Sequence, residues 1–366
     1  RPGSASARVD RRETPPQRCG VVRVSSQPAR SRLSKTDRAD PPSGRHRSSA
    51  DGSRSVPLTG RDGVTLREEV RDYGALDGDR AITWNHATNR WRDYIRDKED
   101  VSGVFEDDAG NQAIGSKPHR FDPAYADRQY AKLKDLERGI SAEYGKRLHT
   151  AMLTFTCSST DDDGRPRPPV DHLDDLLESW DALRRALDRA LEGLRYERLA
   201  ILEPHQSGYL HCHMAVFVDG PVRSSTFEPV IEAHVRNCDG AEWDAHDLDD
   251  ESTISVRHAG RDRDLEDDGA LDELAIYLAE YLGTYGDDPL EEAEHVQAAN
   301  ALLWATERQR WRPSNGAQEY MKTCQSDEEP TTWELVGIEK DGEVIPCDGD
   351  AGGVDRFTTG ALDPPD

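Results

Sequence analysis

The chain has 366 residues, of which 35% are hydrophobic and 33% charged, and its formal net charge is −25. It contains no run of about 18 apolar residues and no apolar leader at its start, so we expect no membrane association and a cytoplasmic location. The six cysteines form no CxxC pair, which favours reduced thiols over a disulfide framework.

The acidic charge argues at first against a nucleic-acid partner, because DNA-binding proteins are usually basic. Asp is abundant, however, and most of the basic residues are Arg rather than Lys. This balance is typical of proteins kept soluble in very high salt, where the Debye length falls to about 3 Å or less. DNA binding is therefore still possible, provided that local Arg contacts supply it.

Two regions precede the clearest patterns. Residues 1–62 are rich in Arg, Ser, Pro and Asp and almost lack apolar periodicity, which predicts a disordered, locally basic tail. Residues 63–147 are predicted to form a partly helical accessory region. Its clearest element is a helix over Tyr125–Tyr144, to which the sequence assigns no chemistry.

Secondary-structure patterns sharpen from residue 148 onward. His149–Ser158 alternates with period two and predicts a strand. An amphipathic helix over Asp171–Leu194 follows, with Asp171 as its N-cap. Two further strands, Arg195–Glu203 and Tyr209–Val218, are joined by residues 204–208, whose Pro and Gly suit a hairpin.

The remaining elements complete an α+β order. A helix near Phe227–Val235, a strand near Thr253–Arg257 and a helix over Leu271–Tyr285 are predicted next. We therefore expect an antiparallel sheet with helices on one face, in a domain over residues 148–290. Residues 291–366 are predicted to be a small extension. It comprises a helix to about Arg310, a hairpin over Trp333–Ile345 and an acidic tail, and no P-loop motif indicates a fused helicase.

His211 and His213 are the strongest sign of chemistry. Residues two apart on a strand share a face, so both imidazoles project together, while the opposite face is apolar throughout. With residues 204–208 as the loop, Glu203 pairs with Tyr209 and reaches the same point diagonally. Two nitrogens and one oxygen with open positions suit Mg²⁺ or Mn²⁺. His205 is a rival third ligand, and an ion-free hydrogen-bonded pair is the alternative.

The helix over Leu271–Tyr285 supplies candidate nucleophiles. Tyr281 lies at the edge of its apolar stripe and Tyr277 lies away from it, so Tyr277 is the one more exposed to a substrate. A phenolate can attack phosphorus and leave a 5′-phosphotyrosine and a free 3′-OH. The two are i,i+4 neighbours, so both could serve in turn, although packing alone also explains a tyrosine here.

These motifs, in this order, resemble those of HUH replication initiators: residues 152–156 (MLTFT), 211–213 (HCH) and 277–281 (YLAEY). Residues 203–213 and 311–321 are especially similar to replication proteins of haloarchaeal plasmids and viruses. The resemblance implies a ferredoxin-like sheet and metal-assisted nicking of single-stranded DNA at a rolling-circle origin, with a host helicase and polymerase as partners. Many relatives have Lys where Glu280 stands, which leaves open which tyrosine attacks; a two-tyrosine branch has Tyr-x-x-x-Tyr.

DNA contacts are predicted at six residues: Thr154, Thr156, Arg308, Arg310, Trp311 and Arg312. The Arg-rich segment could contact phosphates while tryptophan stacks on bases, although arginines at a helix end also complement its dipole.

Alternative functions remain open on the same residues. They are an HUH transposase or relaxase, a non-catalytic DNA-binding copy-control protein, and a metal-dependent hydrolase that uses water, with Glu203 or His205 as its base.

Overall fold

The computed structural model describes residues 55–76, 81–99, 101–107, 110–116, 119–258, 288–321, 332–340, 343–346 and 356–358. The predicted helix over Leu271–Tyr285, with Tyr277 and Tyr281, lies outside the described residues. So do residues 1–54, which make up most of the tail predicted to be disordered.

The described helices are α1 (Glu68–Leu76), α2 (Trp84–Glu99), α3 (Pro123–Tyr144), α4 (Pro169–Glu178), α5 (Trp180–Ala190), α6 (Ser224–Asn237), α7 (Glu294–Ala305) and α8 (Asn315–Tyr320). The strands are β1 (Val101–Asp107), β2 (Gln112–Ser116), β3 (Leu148–Phe155), β4 (Arg195–Pro204), β5 (Leu210–Asp219), β6 (Ile254–His258), β7 (Trp311–Pro313), β8 (Thr332–Lys340), β9 (Glu343–Pro346) and β10 (Arg356–Thr358).

One five-stranded antiparallel sheet has the order β6-β3-β5-β4-β7. The chain runs from β3 through α4 and α5 to the β4–β5 hairpin, and then through α6 to β6. Numbered by chain order, these four strands lie 4-1-3-2, which is the split βαβ arrangement of a ferredoxin-like sheet. The α+β prediction is therefore confirmed, and β7 adds a strand beside β4.

A second sheet joins two regions that the sequence analysis treated as separate. The predicted hairpin over Trp333–Ile345 is present as β8 and β9. β8 also pairs with β1 and with β10, and β1 pairs in turn with β2. The C-terminal extension therefore completes a sheet begun within residues 63–147.

Helices cover both faces of the ferredoxin-like sheet, whereas the sequence analysis expected them on one face. Helices α4 to α6 pack on the face that carries Phe155, Met214 and Val216. On the other face, Ala215 and Phe217 are covered by α3 and α8. The physical reason is that β5 is apolar at alternate positions on both sides, and such a strand needs cover on both.

Three local boundaries differ from the sequence prediction. The helix expected over Asp171–Leu194 is two helices separated at Ser179. Asp171 is not a cap: it lies in the first turn of α4, where its carboxylate accepts hydrogen bonds from Thr59 Oγ1 at 2.7 Å and Gly60 N at 3.0 Å. Leu58 beside them is fully buried, so the end of the predicted tail is ordered.

The third difference concerns the segment after α7. The expected helix to Arg310 ends at Ala305, and Glu307 adopts a left-handed φ of 55° that a helix cannot continue through. The chain then returns along the sheet as β7, with Ala200 opposite Arg312.

Candidate metal centre

Glu203 and His211 lie directly opposite each other on β4 and β5. The sequence analysis placed Glu203 opposite Tyr209, two residues away. The hairpin is tighter than expected, because β4 runs on to Pro204 and the His205 N–H bonds to the Tyr209 carbonyl at 2.8 Å. A shift of two residues keeps the same face, so the prediction that Glu203 faces the histidines holds.

The side chains of Glu203, His211 and His213 converge on one point. Glu203 Oε2 lies 3.0 Å from His211 Nε2 and 2.7 Å from His213 Nε2. The two Nε2 atoms are 2.8 Å apart. Among the His, Cys, Asp and Glu side chains of the described residues, these three lie close enough together to hold one metal ion.

The electrostatics of the cluster leave its donor atoms in the forms that bind metals. His211 and His213 are only 8% and 7% exposed. Burial lowers the pKa of His211 to about 3, so its imidazole is neutral at neutral pH. Burial would raise the pKa of Glu203, but its close contacts with the two histidines outweigh burial and bring that pKa to about 2. An ionised Glu203 carboxylate and a neutral His211 imidazole fit a divalent cation.

Thr154 on the neighbouring strand orients one ligand. It stands opposite His213, and its Oγ1 lies 3.1 Å from His213 Nδ1. With the Nδ1 proton on that hydrogen bond, Nε2 offers its lone pair to the cluster. Thr154, which the sequence analysis expected to contact DNA, is thus placed to hold a ligand histidine.

His205, the rival third ligand, packs its ring against that of His211, with centroids 4.2 Å apart. It lies beyond β4, in the turn, and does not join the converging group. The structure favours Glu203 as the third donor.

Thr156 is held through its backbone by two histidines that the sequence analysis missed. Its N–H donates to His246 Nε2 at 3.0 Å, and its carbonyl accepts from His234 Nε2 at 2.8 Å. Burial lowers the pKa of His234 to about 4 and also lowers that of His246, so both imidazoles are neutral. Nothing in the sequence pairs these residues, because only the tertiary fold brings them to the end of β3.

The four residues near β7 that were predicted to contact DNA (Arg308, Arg310, Trp311 and Arg312) lie in different surroundings. Arg310 is buried, with its guanidinium bonded to Asn300, so its expected contact with DNA is not supported. Arg308 is exposed and pairs with Asp174 at 3.0 Å. Trp311 packs on the face that carries the metal cluster, whereas Arg312 extends from the opposite face over Trp180. Tyr277 and Tyr281 lie outside the described residues.

The fold and the cluster define an α+β protein whose ferredoxin-like sheet carries two histidines and a carboxylate suited to a metal ion. The chain belongs to the family described as "Putative rep protein (DUF1424)", which matches residues 58–356 and supports a Rep-type replication protein. Among the described residues, no helix has both the length and the apolar character needed to cross a membrane.

The chain is similar to two proteins of halophilic archaea. An uncharacterized 36 kDa protein of Halobacterium salinarum is 45% identical over 291 residues, which are 78% of this chain and 91% of that protein. Another 36 kDa protein, from Halobacterium sp. strain GN101, is 42% identical over 296 residues, covering 77% of this chain and 89% of its own length. No solved structure matches the chain.

Proposed function

We propose that this protein is an HUH-type initiator that nicks and rejoins single-stranded DNA at a rolling-circle replication origin. The observation that carries the proposal is the convergence of Glu203, His211 and His213 on the neighbouring strands β4 and β5 of a ferredoxin-like sheet. Membership in a family of Rep proteins supports it from an independent direction. The acidic composition is typical of proteins from high-salt habitats, and the similar proteins come from halophilic archaea.

The three ligands would hold Mg²⁺ or Mn²⁺. Such an ion, when bound, neutralises charge that develops on the oxygens of a phosphodiester. The residues of the chain perform the rest. Glu203 and the two imidazoles would hold the ion beside the scissile phosphate, and Thr154 fixes the orientation of His213.

A tyrosine is the proposed nucleophile, and Tyr277 and Tyr281 are the candidates. The phenol loses its proton, the phenolate oxygen forms a bond to phosphorus while the bond from phosphorus to the 3′-oxygen breaks, and the departing 3′-oxygen takes up a proton from water. The products are a 5′-phosphotyrosine and a free 3′-OH, and reversal of the same step rejoins the strand. A 3′-OH needs a polymerase to extend it and a helicase to displace the strand, so host enzymes of both classes are the expected partners.

The test is formation of a covalent adduct. The purified chain is incubated in high salt with Mn²⁺ and labelled single-stranded DNA that tiles the replicon encoding it, and is then denatured. We expect a DNA adduct that survives denaturation, requires the divalent ion and is lost in Tyr277→Phe or Tyr281→Phe. Tyr130→Phe, at an exposed tyrosine on α3, is the matched control and keeps the adduct.

Other outcomes separate the alternatives. Cleavage without an adduct would support a hydrolase that uses water. DNA binding without cleavage or adduct would support a non-catalytic copy-control protein. Adduct formation that transfers the strand into unrelated duplex DNA would favour a transposase.

A further inference from the structure

Two arginines share one tryptophan at the edge of the ferredoxin-like sheet. The guanidinium carbon of Arg198 lies 5.0 Å from the centroid of a Trp180 ring, and that of Arg312 lies 5.6 Å away. Arg198 belongs to β4 and Arg312 to β7. Pairing of these strands fixes the two side chains as neighbours, and the Arg198 N–H also donates to Ser314 Oγ at 3.1 Å.

Asp188 and Glu197 lie near enough to Arg198 to act on its pKa, but neither is at ion-pair distance from it. Within the part of the chain that the structure describes, neither Arg198 nor Arg312 forms an ion pair, although the chain as a whole carries a net charge of −25. Nη1 of Arg198 is buried and makes no hydrogen bond. Burial disfavours the charged form of both guanidinium groups and lowers their pKa, and a buried donor without an acceptor is unfavourable. An anion bound between the two guanidinium groups would remove both costs.

We propose that Arg198, Arg312 and Trp180 form a binding site for a backbone phosphate of single-stranded DNA. Guanidinium groups present paired N–H donors that match phosphate oxygens, and stacking on an indole holds them in place. Exposed Arg308 lies close enough to lower the pKa of Arg312, although its own charge is paired with Asp174. This proposal rests on the proposed function, because single-stranded DNA is the substrate assigned there.

The position of the pair suits a strand that also reaches the metal centre. His213, Ile201 and Trp311 stand side by side across β5, β4 and β7. Trp311 is therefore roughly 10 Å from His213 at the usual strand spacing, on the same face of the sheet. Arg312 is the next residue and extends to the other face. A DNA strand leaving the metal centre past Trp311 would reach the arginine pair by passing over β7.

The test measures DNA binding without any divalent ion, so it does not depend on nicking. Anisotropy of a fluorescent oligothymidylate is titrated with wild-type protein in EDTA, over KCl concentrations at which circular dichroism shows the chain folded. For single strands, the slope of log K against log salt changes by about 0.7 for each phosphate contact. We expect Arg312→Gln and Arg198→Gln each to weaken binding and to reduce the slope by about that amount.

Arg236→Gln is the control, because it removes the same charge from an exposed position. Arg236 lies on α6 and pairs with Glu232. It is expected to keep the wild-type slope. Arg312→Lys retains the positive charge but loses the planar guanidinium group. We expect a salt slope close to that of the wild type and weaker binding. If folded Arg198→Gln and Arg312→Gln match Arg236→Gln in slope and affinity, the phosphate site is wrong.

The outcomes also separate this proposal from the nicking activity. Slopes that fall in both glutamine variants would support the phosphate site even if no adduct ever forms. An adduct together with unchanged slopes would leave the nicking activity standing and overturn the phosphate site. Absence of DNA binding by the wild-type chain would overturn both.

Discussion

The hydroxyl of Thr154 lies 3.1 Å from Nδ1 of His213, across the central pair of strands β3 and β5. Because this contact takes the Nδ1 side of the ring, Nε2 is left to face Glu203 at 2.7 Å. Thr154 on β3 thus supports the candidate metal centre on the neighbouring strand β5. Partners of this kind fix the tautomer and the angle of a ligand histidine.

Thr154→Val is expected to weaken the binding of Mn²⁺ roughly 10- to 100-fold, the usual effect of losing such a partner. Titration calorimetry with Mn²⁺ measures this. Thr150→Val is the matched control, because Thr150 lies on the same face of the same strand, opposite Phe217. Thr154→Ser should restore affinity. Equal affinities for Thr154→Val and Thr150→Val would show that the hydroxyl does not orient His213.

Removing the carboxylate should abolish stabilisation by metal. A ligand that binds only the folded state raises the melting temperature. We expect Mn²⁺ to raise the Tm of the wild-type chain and to leave that of Glu203→Gln almost unchanged. Glu232→Gln, at an exposed carboxylate on α6, is the control. A similar rise of Tm in wild type and Glu203→Gln would place the ion elsewhere.

Stability should fall in mild acid through the histidines that hold Thr156. The pKa of His234 in the folded chain is lowered from about 6.5 to about 4, mainly by burial. The unfolded chain therefore binds the proton first, and its advantage grows as the pH falls from about 6.5 towards 4. For one such group the loss of unfolding free energy between pH 7.5 and pH 5 is about 2 kcal/mol.

Urea unfolding of wild type and His234→Gln at both pH values measures that loss, because other titrating groups cancel in the comparison. His234→Gln should be less stable than wild type at pH 7.5 and should lose less on acidification. Parallel pH dependences would mean that His234 is not held in its neutral form.

Arg308 and Arg310 should differ sharply in their effect on stability. Arg310 is buried with its guanidinium on Asn300, so Arg310→Ala leaves a cavity and an unpaired Asn300 carbonyl and should cost about 2 kcal/mol or more of unfolding free energy. Arg308 forms an exposed ion pair with Asp174, and Arg308→Ala should cost less than about 1 kcal/mol. Urea unfolding distinguishes them, and similar small losses would contradict the assigned burial of Arg310.

The convergence of the candidate metal ligands could be predicted because its signal is local. Alternation puts His211 and His213 on one face of any strand, and an even shift of the hairpin keeps Glu203 there. The register itself could not be predicted, because it depends on how the turn after Pro204 closes.

Contacts between residues far apart in the chain could not be predicted from the local sequence pattern. Cover of Phe217 by α3 brings together residues far apart in the chain, and the sequence analysis accordingly expected helices on one face only. The same holds for His234 and His246 on Thr156. Arg310 appeared as one of a basic run, and only the return of the chain as β7 separates its buried side chain from exposed Arg308.

The most direct measurement of the central claim is mass spectrometry of the peptide linked to DNA. After reaction with Mn²⁺ and single-stranded origin DNA, the chain is digested with protease and nuclease. The account predicts a nucleotide bound through phosphate to Tyr277 or Tyr281, absent from Glu203→Gln. DNA cleaved by the wild-type chain with neither tyrosine modified would contradict it.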